Sequence, residues 1–217
     1  MKARAEKRSN NGVAIKIADE LRGLVAGGSL APGMRLGQIE LAAQFKSSPV
    51  PVREALKLLT SEGIIEHDPN RGFFVARLST SEARQLFRMR HLLEDELLLS
   101  VEWPTKAQLS ELEKSALELD KLLEARDRRQ WWLSQREFHL AIFDLSPHKV
   151  MVREAMRLWT LTDRFRAVLP LPRRPSKQLE LVDALRAENR DELMSLRRDR
   201  RDAFERVVLE MLEERNL

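Results

Sequence analysis

Residues 35–77, RLGQIELAAQFKSSPVPVREALKLLTSEGIIEHDPNRGFFVAR, decide the fold of the N-terminal part of this chain. The stretch reads as a short helix from Ile39 to Phe45, a Lys46-Ser47 turn, and a second helix opened by Ser48-Pro49-Val50-Pro51. Glu62-Gly63-Ile64-Ile65-Glu66 follows, then a tight turn at Asp68-Pro69-Asn70-Arg71-Gly72 and the run Phe73-Phe74-Val75. This order predicts a helix-turn-helix followed by a two-stranded wing, an arrangement that sets one helix into a groove of double-stranded DNA.

Local chemistry supports each step. Ser48 is placed to cap the second helix, and Pro49 fits N1, where its missing N–H costs nothing. Pro51 still lies in the first turn, where proline is tolerated. Leu56, Leu59 and Ile64 fall on the packed side, while Arg53 and Lys57, four apart, share an outward face that can reach bases or phosphates. The turn carries Arg71 at the tip of the wing, beside the neighbouring backbone or minor groove. Upstream, Val13, Ile17, Leu21, Leu24 and Val25 recur at helical spacing and stop at Gly27-Gly28, giving a supporting first helix before the Leu30-Ala31-Pro32-Gly33 turn.

Working outward, glycine and charge both divide the 217 residues near position 78. All eight glycines lie between Gly12 and Gly72, so the remainder has no glycine turn, no phosphate-cradling loop and no glycine-flanked serine elbow. Residues 1–78 hold twelve Lys and Arg against eight Asp and Glu, and residues 79–217 are balanced, so the net +4 belongs to the first part. A basic excess there suits a phosphate backbone. The expected organisation is a basic disordered tail over 1–11, a winged helix-turn-helix over 12–78, and an all-helical effector-binding and dimerisation unit over 79–217. No cysteine is present, which removes disulfides, thiol catalysis and thiolate metal sites. Met1 to Asn11 is basic and polar with no apolar run behind it, so a signal peptide is not expected. No apolar stretch reaches about twenty residues, and a cytoplasmic protein without a membrane span is the expectation.

The winged helix resembles that of the GntR family of bacterial transcription regulators. Pro32-Gly33, Leu41-Ala42, Pro51 to Leu56, Glu62-Gly63 and Pro69 to Gly72 meet the family's pattern, over about a third of the chain. The resemblance implies DNA contacts from Arg35, Ser48, Val50, Arg53, Lys57, Asn70, Arg71 and Gly72. It also implies a departure: where the family usually places Ser-Arg-Thr before Pro-Val-Arg, this chain has Ser48, Pro49 and Val50. A cationic donor is replaced by a ring without an N–H, and a hydroxyl by a methyl. DNA binding with altered affinity or base preference is expected, the alternative being a winged helix that serves protein contacts alone.

From Ser79 onward the periodicity is helical. Ser79 and Glu82 are placed as a capping box, and Leu86, Arg90, Leu93 and Leu97 form one stripe. Leu109, Leu112, Leu119 and Leu122 mark a second helix. Trp132, Gln135, His139, Ile142 and Phe143 mark a third, and Val152, Ala155, Trp159 and Thr162 a fourth. Gln178, Leu181, Val182 and Leu185 follow a break at Pro170 to Pro175. Asn189 and Glu192 open a last helix whose inner face is read as Leu193, Leu196, Arg200, Phe204, Val207 and Met211. The fold class expected is therefore mainly α, a winged helix followed by an antiparallel bundle of six or seven helices.

Arg88 to Glu94 and Glu137-Phe138-His139 followed by Ile142 make this bundle resemble the FCD effector domain of the FadR branch of the family. That branch often holds a divalent metal between an Asp and three His, and the metal helps bind a small carboxylate. In this chain only His139 matches; the other three positions fall on Gln135, Gln178 and, at or near it, Arg200. One imidazole and two amides make a poor metal site, so no bound metal or other cofactor is expected. Arg90, Gln135, His139, Gln178 and Arg200 instead project from apolar stripes as candidate effector-binding residues. A buried arginine needs an anionic partner, which leaves two readings. Either an organic acid binds by charge-assisted hydrogen bonds, or Glu94, Asp163 or another acid pairs with the arginines internally. The isolated tryptophans Trp103, Trp131, Trp132 and Trp159 read as core or dimer-interface residues.

The function expected is a ligand-responsive transcription regulator, a repressor in the usual manner of the family, binding a palindromic operator as a homodimer and responding to a small carboxylate. A constitutive DNA-binding regulator with a filled core is the alternative. An enzyme is disfavoured by the missing cysteine, the glycine-free second part and the lack of any His-acid-nucleophile spacing.

Overall fold

A computed structural model describes the backbone of residues 2–166, 169 and 177–215, with side chains from Asn11 onward. The prolines of the 170–175 break lie outside the described residues. Helix α1 spans Lys2–Ala26, so residues 2–11, expected as a disordered tail, continue the first helix. It ends as expected: Gly28 takes a positive φ of 80°, which only glycine adopts at little cost, and Ser29 N–H closes back onto Leu24. Strand β1 (Arg35–Leu36), α2 (Gln38–Gln44), α3 (Pro49–Ser61), β2 (Ile65–Asp68) and β3 (Gly72–Val75) follow.

The wing gains a strand that the sequence reading missed. β1 pairs antiparallel with β3 (Arg35 opposite Phe74), giving the order β1-β3-β2 in place of two strands. Two residues are too few for an alternation signal, so β1 carries no periodicity of its own. Val52, Ala55, Leu56 and Leu59 face inward from α3 at helical spacing and meet Ile17, Leu21 and Val25 of α1.

The remaining elements are helical: α4 (Thr80–Leu99), α5 (Lys106–Glu124), α6 (Arg128–Phe143), α7 (Lys149–Arg166), α8 (Gln178–Arg186) and α9 (Arg190–Glu214). Trp131, Phe138, Phe143 and Trp159 centre one core with leucines of α5 and α8. Phe87, Phe165, Val208 and Leu212 join α4, α7 and α9 in another. Thr105 and Gln108 form a full capping box at α5, and Asn189 accepts from Glu192 N at 3.1 Å at α9. The box expected at α4 is incomplete. Ser79 accepts from Glu82 N at 3.5 Å, but the Glu82 carboxylate turns to Arg164.

The last helix is rotated relative to the reading from sequence. Its buried face is Leu193, Met194, Arg197, Arg201, Val208 and Leu212, while Val207 is exposed. Both stripes obey a 3.6-residue period, and the apolar residues of α9 are too few to separate them. The arginines carried into the bundle are therefore Arg197 and Arg201, and Arg200 sits at the rim.

Candidate nucleic-acid interface and interior cluster

Helix α3 shows two faces. Pro51, Val52, Ala55, Leu56 and Leu59 are buried, and Val50, Arg53, Glu54 and Lys57 are exposed along the opposite side. Lys57 Nζ lies 3.1 Å from Glu54 on that side, an exposed pair. Ser48 has the extended backbone of an N-cap, but its side chain makes no capping bond. Such a cap accepts from N2 or N3, and N3 is Pro51, which has no N–H. At the other end Gly63 (φ 74°) and Ile64 donate to Thr60 and Leu59, the paired bonds that close a helix through a left-handed residue.

The wing tip is preset by Asp68. Its carboxylate accepts from Asn70 N at 2.8 Å and Arg71 N at 3.0 Å, and Gly72 completes the turn at φ 96°. Arg71 then lies over the Phe74 ring at 5.2 Å. Arg35, on β1, is exposed beside β3. The eight residues expected at a DNA surface therefore come from β1, the outward side and start of α3, and the wing tip.

Inside the bundle, Glu94 and Trp159 form the centre of a charged cluster. Glu94 is fully buried. Its Oε1 accepts from Arg90 Nε at 3.0 Å and from the Trp159 indole N–H at 2.7 Å, and its Oε2 from Arg197 at 2.9 Å. Arg201 lies 3.6 Å away and also pairs with Asp95 at 2.6 Å. Burial pushes the Glu94 carboxyl up, but Arg197, Arg90 and Arg201 outweigh it and hold its pKa at about 2. Arg90 donates to Thr162 at 2.8 Å and stacks 4.4 Å from the Trp159 ring.

Arg166, overlooked in the sequence, enters the same space from the end of α7. It packs 4.6 Å from the rings of Trp132 and Phe204 and 4.9 Å from Trp159. It donates to Gln135 Oε1 at 2.8 Å and pairs with Asp163 at 3.2 Å. Burial pushes its pKa down to about 9, with Asp163 opposing and Arg90 and Arg197 adding to the fall, so it remains a cation at neutral pH. Extending the Val152, Ala155, Trp159, Thr162 stripe by one turn reaches it.

The five residues expected to converge do so unequally. Arg90, His139 and Gln178 are buried, and Gln135 is half-buried. Arg200 corrects the expectation of an interior cation: its side chain is 21% exposed and bonded to Glu180 at 2.9 Å, Lys177 O at 2.5 Å and Gln178 Oε1 at 3.3 Å. His139 packs on Phe138 and Trp159, and its Nδ1 has no hydrogen-bond partner. Burial, then Arg197, Arg166, Arg90 and Arg200, push its pKa well below 6.5. The metal set implied by the resemblance does not fit, because one imidazole stands here among guanidiniums. Among the described residues no three His, Cys, Asp or Glu side chains group to hold a metal.

Four buried guanidiniums (Arg90, Arg166, Arg197, Arg201) thus surround one fully buried carboxylate, Glu94, with the partly exposed Asp95, Asp163 and Glu205 at the edge of the cluster, and Asp95 also lies 3.8 Å from Arg198 at the surface. The Nε atoms of Arg197 and Arg201 are buried without hydrogen-bond partners.

The two parts are tied through α7. Arg164, buried, donates to Gly63 O at 3.2 Å and pairs with Glu82, so one guanidinium joins the ends of α3 and α7 to the start of α4. Arg129 of α6 pairs with Glu20 of α1 as a second tie, and within the N-terminal part Arg22 of α1 grips Glu62 at 2.8 and 2.6 Å.

Residues 14–75 match the bacterial regulatory proteins of the gntR family, and residues 85–213 match the FCD domain. The chain belongs to the gntR family. It is 33% identical over 123 residues to the Nta operon transcriptional regulator of Aminobacter aminovorans, a match spanning 56% of this chain and 58% of that protein, less than two thirds of its length. It is 30% identical over 154 residues to the transcriptional regulator McbR of Escherichia coli (strain K12), covering 70% of each chain. A solved structure of E. coli McbR/YncC superposes with a TM-score of 0.81 at 25% identity, covering 92% of this chain and 98% of that one. Membership of the gntR family places this chain among transcription regulators and not among enzymes. No helix among the described residues is long and apolar enough to cross a membrane.

Proposed function

We propose that this gntR-family member is a dimeric repressor that binds a palindromic operator and responds to a small carboxylate held in the charged cluster of the bundle. The DNA half of the reading is carried by the clean division of α3, with Arg53 and Lys57 on its exposed side and Arg35 and Arg71 flanking it. One winged helix reads a half-site, so a palindrome calls for two copies. The exposed Met89, Leu92 and Leu99 line one side of α4 at heptad spacing and offer a seam for the second copy. Binding of the purified protein to the DNA upstream of its own gene, measured against salt, tests this half. No binding at low salt by a folded protein ends it.

The effector half rests on the excess of buried guanidinium over buried carboxylate, Glu94 being the fully buried acid of the cluster. Glu94 neutralises part of that charge, and a ligand carboxylate supplies the remainder through the unpartnered Nε donors of Arg197 and Arg201. Thermal denaturation against a panel of mono- and dicarboxylates tests it, because a ligand specific to the folded state raises the midpoint. The constitutive reading has its own observation: Arg90 is fully engaged by Glu94 and Thr162 without any ligand. A panel in which no acid shifts the midpoint favours that reading.

A further inference from the structure

The exposed side of α3 carries an apolar side chain at its N-terminal end. Val50 is 59% exposed, with Arg53, Glu54 and Lys57 following on the same side at i+3, i+4 and i+7. Ile39, at the first turn of α2, is 79% exposed and lines a surface hollow with Pro49 and Arg35. An apolar side chain left in water gains free energy when a partner covers it.

The same helix end is poor in donors. Helix N-termini grip phosphate through their free N–H groups, and here N1 and N3 are Pro49 and Pro51. Two of the amides that would hold a backbone phosphate are missing. A major groove entered by this end therefore meets a methyl-bearing surface in place of a phosphate clamp. Within that groove the apolar group that a base edge presents is the C5-methyl of thymine. Arg53, one turn further along α3, supplies the cationic neighbour that holds the helix against DNA.

We infer that Val50 is a base-reading residue that recognises the 5-methyl group of thymine in each operator half-site. This rests on the DNA-binding reading above, and the experiment separates the two. Duplexes are selected from a randomised library with the full chain, and each thymine of the selected sequence is then replaced by deoxyuridine, which removes the methyl and leaves base pairing intact. One or two thymines per half-site lose affinity about fourfold on replacement, the partition cost of one methyl-sized group, and about sixteenfold when both half-sites are changed. Val50→Ala, an exposed site whose change leaves the packed side of α3 untouched, binds thymine and deoxyuridine duplexes equally at those positions. If a sequence is selected but no thymine is sensitive, or if the sensitivity survives in Val50→Ala, the inference is overturned and DNA binding stands. If the folded chain binds duplexes but enriches no sequence, the inference is overturned and DNA binding stands; if it retains no duplex at low salt, the DNA-binding reading itself falls, and this inference with it.

Discussion

Replacing Glu94 by Gln removes the negative centre of the bundle while keeping its shape. At neutral pH the wild-type carboxylate faces Arg90, Arg197 and Arg201 and accepts the Trp159 N–H. Its pKa falls from 4.5 to about 2 on folding, which corresponds to about 3 kcal/mol of stability at pH 7. The amide also leaves buried guanidiniums without their partner, and breaking a buried pair from one side costs about 3–5 kcal/mol. Glu94→Gln is therefore expected to lose about 3–5 kcal/mol in urea denaturation at pH 7, or about 10 °C in Tm. The loss depends on pH in a defined direction. A carboxylate with a depressed pKa stabilises fully above its unfolded value of 4.5 and ceases to do so as pH falls through about 2. The gap between wild type and variant should then narrow by about 2 kcal/mol from pH 7 to pH 3. Sulfate, which can replace the lost charge, should raise the midpoint of the variant more than that of wild type. A gap below about 1 kcal/mol at pH 7, the level of a surface pair, or one that does not change with pH, refutes this account of the cluster.

Three further outcomes follow from other contacts. Arg164→Ala should cost about 1.5–3 kcal/mol, the usual contribution of a charge-assisted hydrogen bond, and speed amide exchange at Gly63 and Ile64; unchanged exchange there would show that Arg164 does not hold the end of α3. Burial, then Arg201, lower the His91 pKa to about 4, so an NMR titration should find its midpoint near 4. Because the folded value lies below the unfolded 6.5, this histidine's contribution is complete above pH 6.5 and declines as pH drops from 6.5 through 4; a midpoint at 6.5 or above contradicts the packing described. On a selected operator, Arg71→Ala should weaken binding evenly across sequences and lower the salt slope by about 1, whereas Arg53→Ala should cost about 1–3 kcal/mol and relax one base position. The reverse pattern would exchange their roles.

Much of the winged helix was legible because its punctuation is local. Pro49 at N1, the Gly27-Gly28 end of α1 and the Asp68 turn each act through the backbone beside them, so neighbours in sequence suffice. The interior cluster was legible in kind but not in register. Arg90 and His139 stand on apolar stripes and were read as interior, as was Glu94 as a partner for the arginines. Arg197 and Arg201 were displaced to Arg200 because α9 is charged on most sides, and a rotation of one residue leaves its periodicity equally good. β1 and the Arg164 contact were not readable at all. The first needs β3, and the second joins Gly63 to a residue 101 positions away.

Helix α7 has a consequence beyond its packing. Arg164 leaves it toward Gly63, and Trp159, Thr162 and Arg166 leave it toward the cluster around Glu94. A helix turns as a rigid axle, with side chains on a radius of about 5–6 Å, so a twist of about 10° moves each of them by about 1 Å. The Arg164 bond, at 3.2 Å, has no slack for such a displacement. Any event in the bundle that turns α7 by that small angle must either release the C-terminal end of α3 or carry it along.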